Sequence, residues 1–363
     1  MADETLRVLG IGDATSLNFL RWARRLAERG HEVHVVSGRE NTRTGETEGL
    51  HVHLVQRADP LLHVPGVRRF RMAPTLAKLA ARVRPDVVHA HYLLPYGYWS
   101  ARAQLRPLVV SPWGTDALVD GRIGAPGHER ARAAVGAADM VVVNSRALEE
   151  AAGELGAPAD RIRSVLWHAD LDGFGPERRR RDDDTFVILS LRNFRPDTHI
   201  DVLVRAFAHV HQQEPRARLV LAARRGPLRA EVEQLVEELG LGSVVAFVSV
   251  PADELPELIA SADVAVTLTD SDSSPPSLLE SMASGLPIVA TPAASIGEWV
   301  QQGDGAELVP HGDVAAVAGA LLTLARDPEL CARHGERNRR VVRERYGDPT
   351  AELERIYREV IAA

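Results

Sequence analysis

The chain has little cysteine, almost no lysine and no long apolar run. A single cysteine, Cys331, in 363 residues excludes a disulfide framework and any thiolate metal cluster. One lone thiol also fits a reducing compartment, so a cytoplasmic location is expected. Lys78 is the one lysine, and arginine supplies every other positive side chain. That bias reads as the codon usage of a high-GC bacterial genome and carries no mechanism. Nowhere do about 18 apolar residues run on uninterrupted, so no segment is expected to span a bilayer. The opening, Met1-Ala2-Asp3-Glu4-Thr5, is acidic and leads straight into an apolar stretch, without the basic and apolar regions of a secretion leader. A basic excess is missing too. The net charge of −7 argues against a dedicated nucleic-acid binder.

What is present is the mix of an ordinary globular protein, 45% hydrophobic and 26% charged, of a length that predicts about two domains. Short apolar runs alternate with segments of helical period, the pattern of parallel sheets flanked by helices. Strands are predicted at 6–11, 32–37, 51–55, 87–89, 108–111, 140–144 and 165–166, then at 186–190, 219–222, 245–248, 264–267, 288–290 and 307–308. Helices are predicted at 18–29, 200–211, 229–239, 254–260, 278–282, 314–325 and 351–361. Between them, Gly173, Gly175 and Pro176 break regular structure, and Arg178–Arg181 followed by Asp182–Asp184 neutralise each other. This reads as a solvated linker. The expected division is an N-terminal domain over 1–170, a linker over 171–185, a C-terminal domain over 186–345 and a closing segment over 346–363 that crosses back. Two such doubly wound halves imply a cleft, with ligands beyond the carboxyl ends of the strands.

Several stretches carry candidate chemistry. Gly10-Ile11-Gly12-Asp13 joins a strand to a helix, but Thr15 stands where a dinucleotide fingerprint needs glycine or alanine, which argues against a dehydrogenase. The small-residue loop still suits an anion or a sugar. His89 and His91 end a strand at spacing i, i+2 and are expected to point together toward the cleft. A metal pair or satisfied core histidines are the alternatives, and a hydrogen-bonding role is preferred because no third ligand lies nearby. The stretch from Asp270 to Pro287 runs from a strand end through a polar, proline-rich loop into a helix. Ser277 is the expected cap, with free amides behind it as a seat for a diphosphate. Asp272 and Glu280, eight positions apart, suit two sets of sugar hydroxyls. Equally, Asp272 only caps and Glu280 lies on a solvated face. Asp270 and Asp272 form an Asp-x-Asp pair, read as loop carboxylates and not as ligands. Residues 67–84 mix six basic side chains with Phe70, Met72, Leu76 and Leu79. Pro74 interrupts the stretch and tryptophan is missing from it, so a domain helix is preferred to a membrane-surface helix.

Five marks carry a family resemblance: Arg29-Gly30-His31-Glu32-Val33, Pro85-Asp86-Val87-Val88-His89-Ala90-His91, Trp113-Gly114-Thr115-Asp116, Ala262-Asp263-Val264, and above all Leu278-Leu279-Glu280-Ser281-Met282-Ala283-Ser284-Gly285-Leu286-Pro287-Ile288-Val289-Ala290-Thr291. With them the chain resembles the retaining glycosyltransferases of family 4, over essentially its whole length. The resemblance implies a GT-B fold, α/β, with two Rossmann-like domains facing a central cleft. It implies transfer of a hexose-type sugar from a nucleoside-diphosphate sugar, with retention and without metal or cofactor. A small specialised-metabolite acceptor is preferred over a glycan or lipid-linked one.

Carried over residue by residue, the resemblance makes Glu280 the holder of the ribose hydroxyls. Asp272 stands at the sugar-contacting glutamate position, one methylene shorter. His91, Asp272 and Arg192 are the implied catalytic set. Gly12, Arg192, Arg195, Val250, Leu255, Asp272, Ser277, Leu278 and Glu280 are the implied donor contacts, and Asp13, Tyr92, Gly114 and Asp116 the acceptor contacts. The chain departs from the family where Asn193 and Thr198 replace the usual basic pair, and where Ala223-Arg224-Arg225-Gly226-Pro227 replaces an acidic turn. Arg192, or else Arg195, then supplies the charge near the diphosphate. A sugar-nucleotide 2-epimerase of the same fold and a non-catalytic sugar-nucleotide binder are the competing readings. Expected partners are the nucleotide sugar and its acceptor, with neither nucleic acid nor membrane favoured.

Overall fold

Alternation of β-branched residues shapes both halves of the chain. In a computed structural model the described residues are 5–40, 47–63, 68–166, 171–179, 184–223, 226–251, 253–270, 272–293 and 295–363. Seven strands make the first sheet: β1 (Arg7–Ile11), β2 (Glu32–Ser37), β3 (His51–Leu54), β4 (Val87–His91), β5 (Leu108–Ser111), β6 (Met140–Val143) and β7 (Ile162–Ser164). All pair in parallel, in the order β3-β2-β1-β4-β5-β6-β7. Period-two alternation sends Val8, Val33, Val35, Val87 and Val109 into one core and Leu9, Val36, Val88, Val110 and Val141 into another, on opposite faces.

The second sheet repeats the plan with β8 (Phe186–Ser190), β9 (Ala217–Ala222), β10 (Val245–Val248), β11 (Val264–Thr267), β12 (Ile288–Ala290), β13 (Gln301–Gln302) and β14 (Gly305–Leu308). Its order is β10-β9-β8-β11-β12-β14-β13. Strand order reverses between β1 and β4 and again between β8 and β11. The loops leaving those strands run apart, which opens a crevice at the carboxyl ends. Every predicted strand is found except 165–166. The strand closing the first sheet is β7, three residues earlier, whose half-exposed side chains show no apolar run.

The chain divides into a unit of Met1–His168 with Asp348–Ala363 and a unit of Ala169–Gly347. The final helix, Pro349–Ala362, returns to the first unit. There Tyr357 takes a hydrogen bond from Trp22 Nε1 at 3.0 Å, and Glu354 takes bonds from Arg29 Nε at 2.7 Å and His31 Nε2 at 2.9 Å.

The linker is not simply solvated. Leu171 and Phe174 are buried, and Arg179 pairs with Asp263 at 2.8 Å. Residues 180–183, the centre of the charge block, lie outside the described residues. The helix Pro328–Tyr346 has no counterpart in the sequence reading. Its buried face mixes Val342 with His334, Gly335 and Asn338, whose Nδ2 donates to the carbonyls of Leu286 and Gly305 at 2.9 and 2.8 Å. Polar residues on the buried side interrupt the apolar period that would reveal the helix.

Residues 68–83 form one helix through Pro74, with Met72, Leu76 and Leu79 in the core and Phe70 exposed. The domain-helix reading therefore holds. Among the described residues no helix is long and apolar enough to cross a membrane.

Candidate functional site

The second unit gathers most of the expected donor residues at the β8–β11 switch point. Arg192 leaves the end of β8 and forms an ion pair with Asp272, on the loop after β11. Both side chains are largely shielded, and burial lowers the guanidinium to about 10, with Asp197 pulling it partly back. It stays charged at neutral pH. Arg192 Nε and Thr267 Oγ1 are buried and have no hydrogen-bond partner among the described residues. Together with Ser277 and Leu278, both residues line one narrow recess, with only about 10 Å³ of room for a water-sized group. Buried polar atoms left open around a recess are the mark of a site that expects a polar ligand.

The helix behind that recess is Pro276–Ala283. Its cap is Pro275, in extended conformation (φ −63°, ψ 135°), so Ser277 does not cap and lies in the first turn. Proline at the first helical position gives up no useful donor and presets the helical φ, which is why the helix begins there. The amide of Leu278 already donates to the Pro275 carbonyl at 3.0 Å, which narrows its expected offer to a diphosphate. Glu280 is buried at 3% exposure on the same helix, which rules out the solvated-face alternative.

The loop bearing Asp272 is held from behind. Ser295 Oγ donates to the Asp272 carbonyl at 3.2 Å, and Trp299 Nε1 donates to Ser274 Oγ at 2.9 Å. Asp270, two positions earlier, turns to His199 instead, at 2.6 Å. The Asp-x-Asp pair thus splits between different partners.

Other expected donor residues serve the loop itself. Arg195 is engaged by Asp197 through contacts of 2.9 and 3.3 Å, so it is the weaker candidate beside Arg192. Thr198 is buried, and its hydroxyl donates toward the carbonyls of Asn193 and Arg195 at 2.7 and 2.8 Å. Val250 and Leu255 are half-buried after β10 and lie outside the recess. Arg224 and Arg225 lie outside the described residues.

In the first unit the histidines behave differently from expectation. His89 and His91 do share one face of the sheet, and their rings stack at 4.2 Å. Both are fully buried in that face and so do not point outward. His89 bonds Tyr357 at 2.6 Å and Ser111 at 2.8 Å, and burial drops it to about 3. His91 packs against Trp22 at 4.4 Å and Phe19 at 4.9 Å, and burial with the neighbouring His89 holds it far below the usual imidazole range. Both rings are neutral at pH 7. His89 is thus a satisfied core histidine, a partner set that Tyr357 supplies from the far end of the chain. His91 is at most a neutral hydrogen-bonding group.

Asp116 is also interior, at 2% exposure. It accepts the amides of Leu93 at 2.7 Å, Trp113 at 2.9 Å and Gly114 at 2.9 Å. Burial pushes its carboxyl up to about 6, against the pull of those amides. It ties the loops after β4 and β5 together and shows no face to an acceptor. The Gly114 amide reaches it from φ 145°, which only glycine adopts easily. Tyr92 stacks on Trp113 at 4.6 Å from a φ of 76°, uncommon for a side-chain-bearing residue. Asp13 closes its own turn through Thr15, at 2.9 Å to the amide, and pairs with exposed Arg39 at 3.2 Å. At Gly12 a Cβ would come within 2.8 Å of Phe19, so core packing alone requires that glycine.

Similarity to known proteins extends over both units. Residues 19–172 match the family model Glycosyltransferase Family 4, and residues 175–341 match Glycosyl transferases group 1. The D-inositol 3-phosphate glycosyltransferase of Acidothermus cellulolyticus is 30% identical, over 90% of this chain and 81% of the relative. The N-acetyl-alpha-D-glucosaminyl L-malate synthase of Bacillus anthracis is 27% identical, over 93% and 92%. The fold is similar to sucrose-phosphate synthase of Thermosynechococcus elongatus, with a TM-score of 0.81 at 21% identity over 98% of this chain and 99% of that one. It is also similar to Anabaena HepE solved with UDP and glucose, with a TM-score of 0.75 at 20% identity over 98% and 99%.

Proposed function

Since this chain belongs to the group 1 glycosyltransferases of the GT-B fold, we propose that it moves a hexose-type sugar from a nucleoside-diphosphate sugar to a small polar acceptor, with retention and without a catalytic metal. The observation that carries the donor class is the buried Arg192, with its open Nε, in one recess with the start of the helix Pro276–Ala283. A guanidinium and a helix N-terminus together favour a dianionic group. HepE, of like fold, was solved with UDP and with UDP-glucose, which supports the same donor class here.

The reaction breaks the bond between the anomeric carbon and the β-phosphate oxygen. Negative charge grows on that phosphate as positive charge grows on the sugar ring. Arg192 and the helix amides stabilise the first, a contribution worth roughly 10²–10³ in rate per donor. Asp272 lies close enough to Arg192 to face the sugar end of the same ligand. The acceptor hydroxyl attacks on the face the phosphate leaves, and its proton passes to a β-phosphate oxygen. No protein nucleophile enters this scheme. The acceptor class follows the relatives' names, which specify malate and inositol phosphate.

The test is a thermal-shift panel of UDP, GDP, ADP and dTDP with their common sugars, followed by transfer to malate and inositol phosphates. The anomeric configuration of the product is then read by NMR. A retained α-linkage from an α-linked donor is expected. Conversion of the sugar nucleotide with no acceptor present would mark an epimerase, and binding without any turnover a scaffold.

A further inference from the structure

Two imidazoles from separate loops meet one carboxylate at the rim of the second sheet. His199, after β8, places Nε2 2.6 Å from Asp270 Oδ1, and His311, after β14, places Nδ1 3.3 Å from the same oxygen. One ligand-capable atom from each side chain lies within 4.8 Å of the other two. Tetrahedral zinc, with bonds near 2.0–2.2 Å, spaces its ligand atoms about 3.4 Å apart. The cluster needs shifts of about 1 Å, within the reach of half-exposed side chains.

A rival cluster of Glu32, His34 and His51 meets the same distance limit but fails on orientation. Its rings stack, His34 on His51 at 4.7 Å and on His53 at 5.2 Å, with interplanar angles of 22° and 13°. An imidazole binds metal in its own plane, so stacked rings do not aim lone pairs at one ion. Both His34 nitrogens are moreover engaged, by His53 and by Glu32, each at 2.9 Å. That group is a hydrogen-bonded column. No such stacking ties His199 to His311 among the described residues.

We propose that His199, Asp270 and His311 form a binding site for a first-row divalent ion of the zinc class. Two imidazoles and a carboxylate suit zinc and its neighbours rather than calcium or magnesium, which prefer an all-oxygen shell. The frame is built by the backbone. The Asp270 amide donates to the Asp197 carbonyl at 3.1 Å, joining two of the three loops. His199 holds a left-handed conformation, φ 46° and ψ 42°, directly before the helix Ile200–Gln213. Asp270 and His311 remain 53% and 43% exposed, so an ion has an entry path and a fourth position open to water. The ion ties the loops after β8, β11 and β14. It takes no ligand from the Arg192–Asp272 pair, so its role is to stiffen the rim and it has no part in the sugar chemistry.

Cobalt(II) titration of the chelator-treated full chain tests this, because tetrahedral cobalt absorbs in the visible and zinc displaces it. Wild type is expected to show that band and a zinc-dependent rise in Tm. His311→Ala, at an exposed position, and the near-isosteric Asp270→Asn should each weaken cobalt binding roughly tenfold or more and abolish the rise. His51→Ala should leave both intact. Absence of cobalt binding, equal affinity in His311→Ala and wild type, or loss only in His51→Ala would each overturn the assignment.

Discussion

The guanidinium of Arg192 is paired with the carboxylate of Asp272 across two neighbouring loops, at side-chain exposures of only 14% and 19%. Asp272 therefore occupies part of the charge that a diphosphate would claim. On the proposed reading the pair holds Arg192 in place before a donor arrives, and donor binding exchanges one anion for another.

Exchange of this kind gives the first prediction. An arginine fork grips phosphate oxygens through two parallel bonds that a lysine cannot copy. Arg192→Lys should lower kcat by roughly 10²–10³ and raise KM much less, because charge builds mainly in the transition state. Steady-state kinetics with a UDP-sugar donor checks this. Near wild-type turnover in Arg192→Ala would place the diphosphate on other residues.

Asp272→Asn separates competition from catalysis. With the resident anion neutralised, the buried guanidinium needs a new partner. UDP binding should tighten by about tenfold, or about 1.4 kcal/mol, while kcat for sugar transfer falls. Calorimetry with UDP reads the first effect. Weaker UDP binding would show that Asp272 assists the nucleotide instead of competing with it.

Glu280 is buried on the helix that begins at the recess. If it holds the ribose, Glu280→Ala should weaken nucleotide binding by about 1–3 kcal/mol, the usual cost of leaving a buried polar group unmatched. A cooperative melt should remain. Unchanged UDP affinity would remove the assignment.

Restoring a lysine at position 198 looks like a simple repair from the sequence, and the structure argues against it. Thr198 is buried and its hydroxyl closes the loop onto Asn193 and Arg195. Thr198→Lys should cost about 1–3 kcal/mol in stability through lost hydrogen bonds and a buried charge, and should not rescue Arg192→Ala. Denaturant midpoints and turnover of the double variant decide the point.

Acid should destabilise the first unit through its buried histidines. His89 sits at about 3, well below its unfolded value near 6.5, so the unfolded chain takes up the proton first. Its contribution is full above pH 6.5 and is lost by about 1.4 kcal/mol per pH unit as pH falls toward 3. His91 shifts the same way. Asp116, raised to about 6, opposes them: its folded form takes the proton first, which favours the fold as pH drops from 6 to 4. Unfolding free energies measured between pH 7.5 and 5 should fall with acid, and His89→Phe should remove about 2 kcal/mol of that fall, most of it below pH 6.5. An unchanged slope would contradict a neutral, buried His89.

Much of this protein is legible in its amino-acid order alone. Valine-rich runs alternate with helical period because parallel strands are buried on both faces, so twelve of the thirteen strands expected from sequence appear at or within a few residues of their predicted places. The stretch from Leu278 to Thr291 pointed to the family because it couples a buried helix face, a turn and a strand in one string. The sequence reading places the start of that helix two residues late with Ser277 as its cap, whereas Pro275 caps it and Pro276 opens it. Tertiary structure decided which polar groups meet. Tyr357 closes over His89 from 268 positions away, and His199, Asp270 and His311 converge from three loops. Arg192 finds Asp272 eighty positions on. Local pattern records the period of a strand or helix, which depends on neighbours in sequence. A hydrogen bond or ion pair depends on where the sheet order reverses and brings distant loops together, and no local period carries that information.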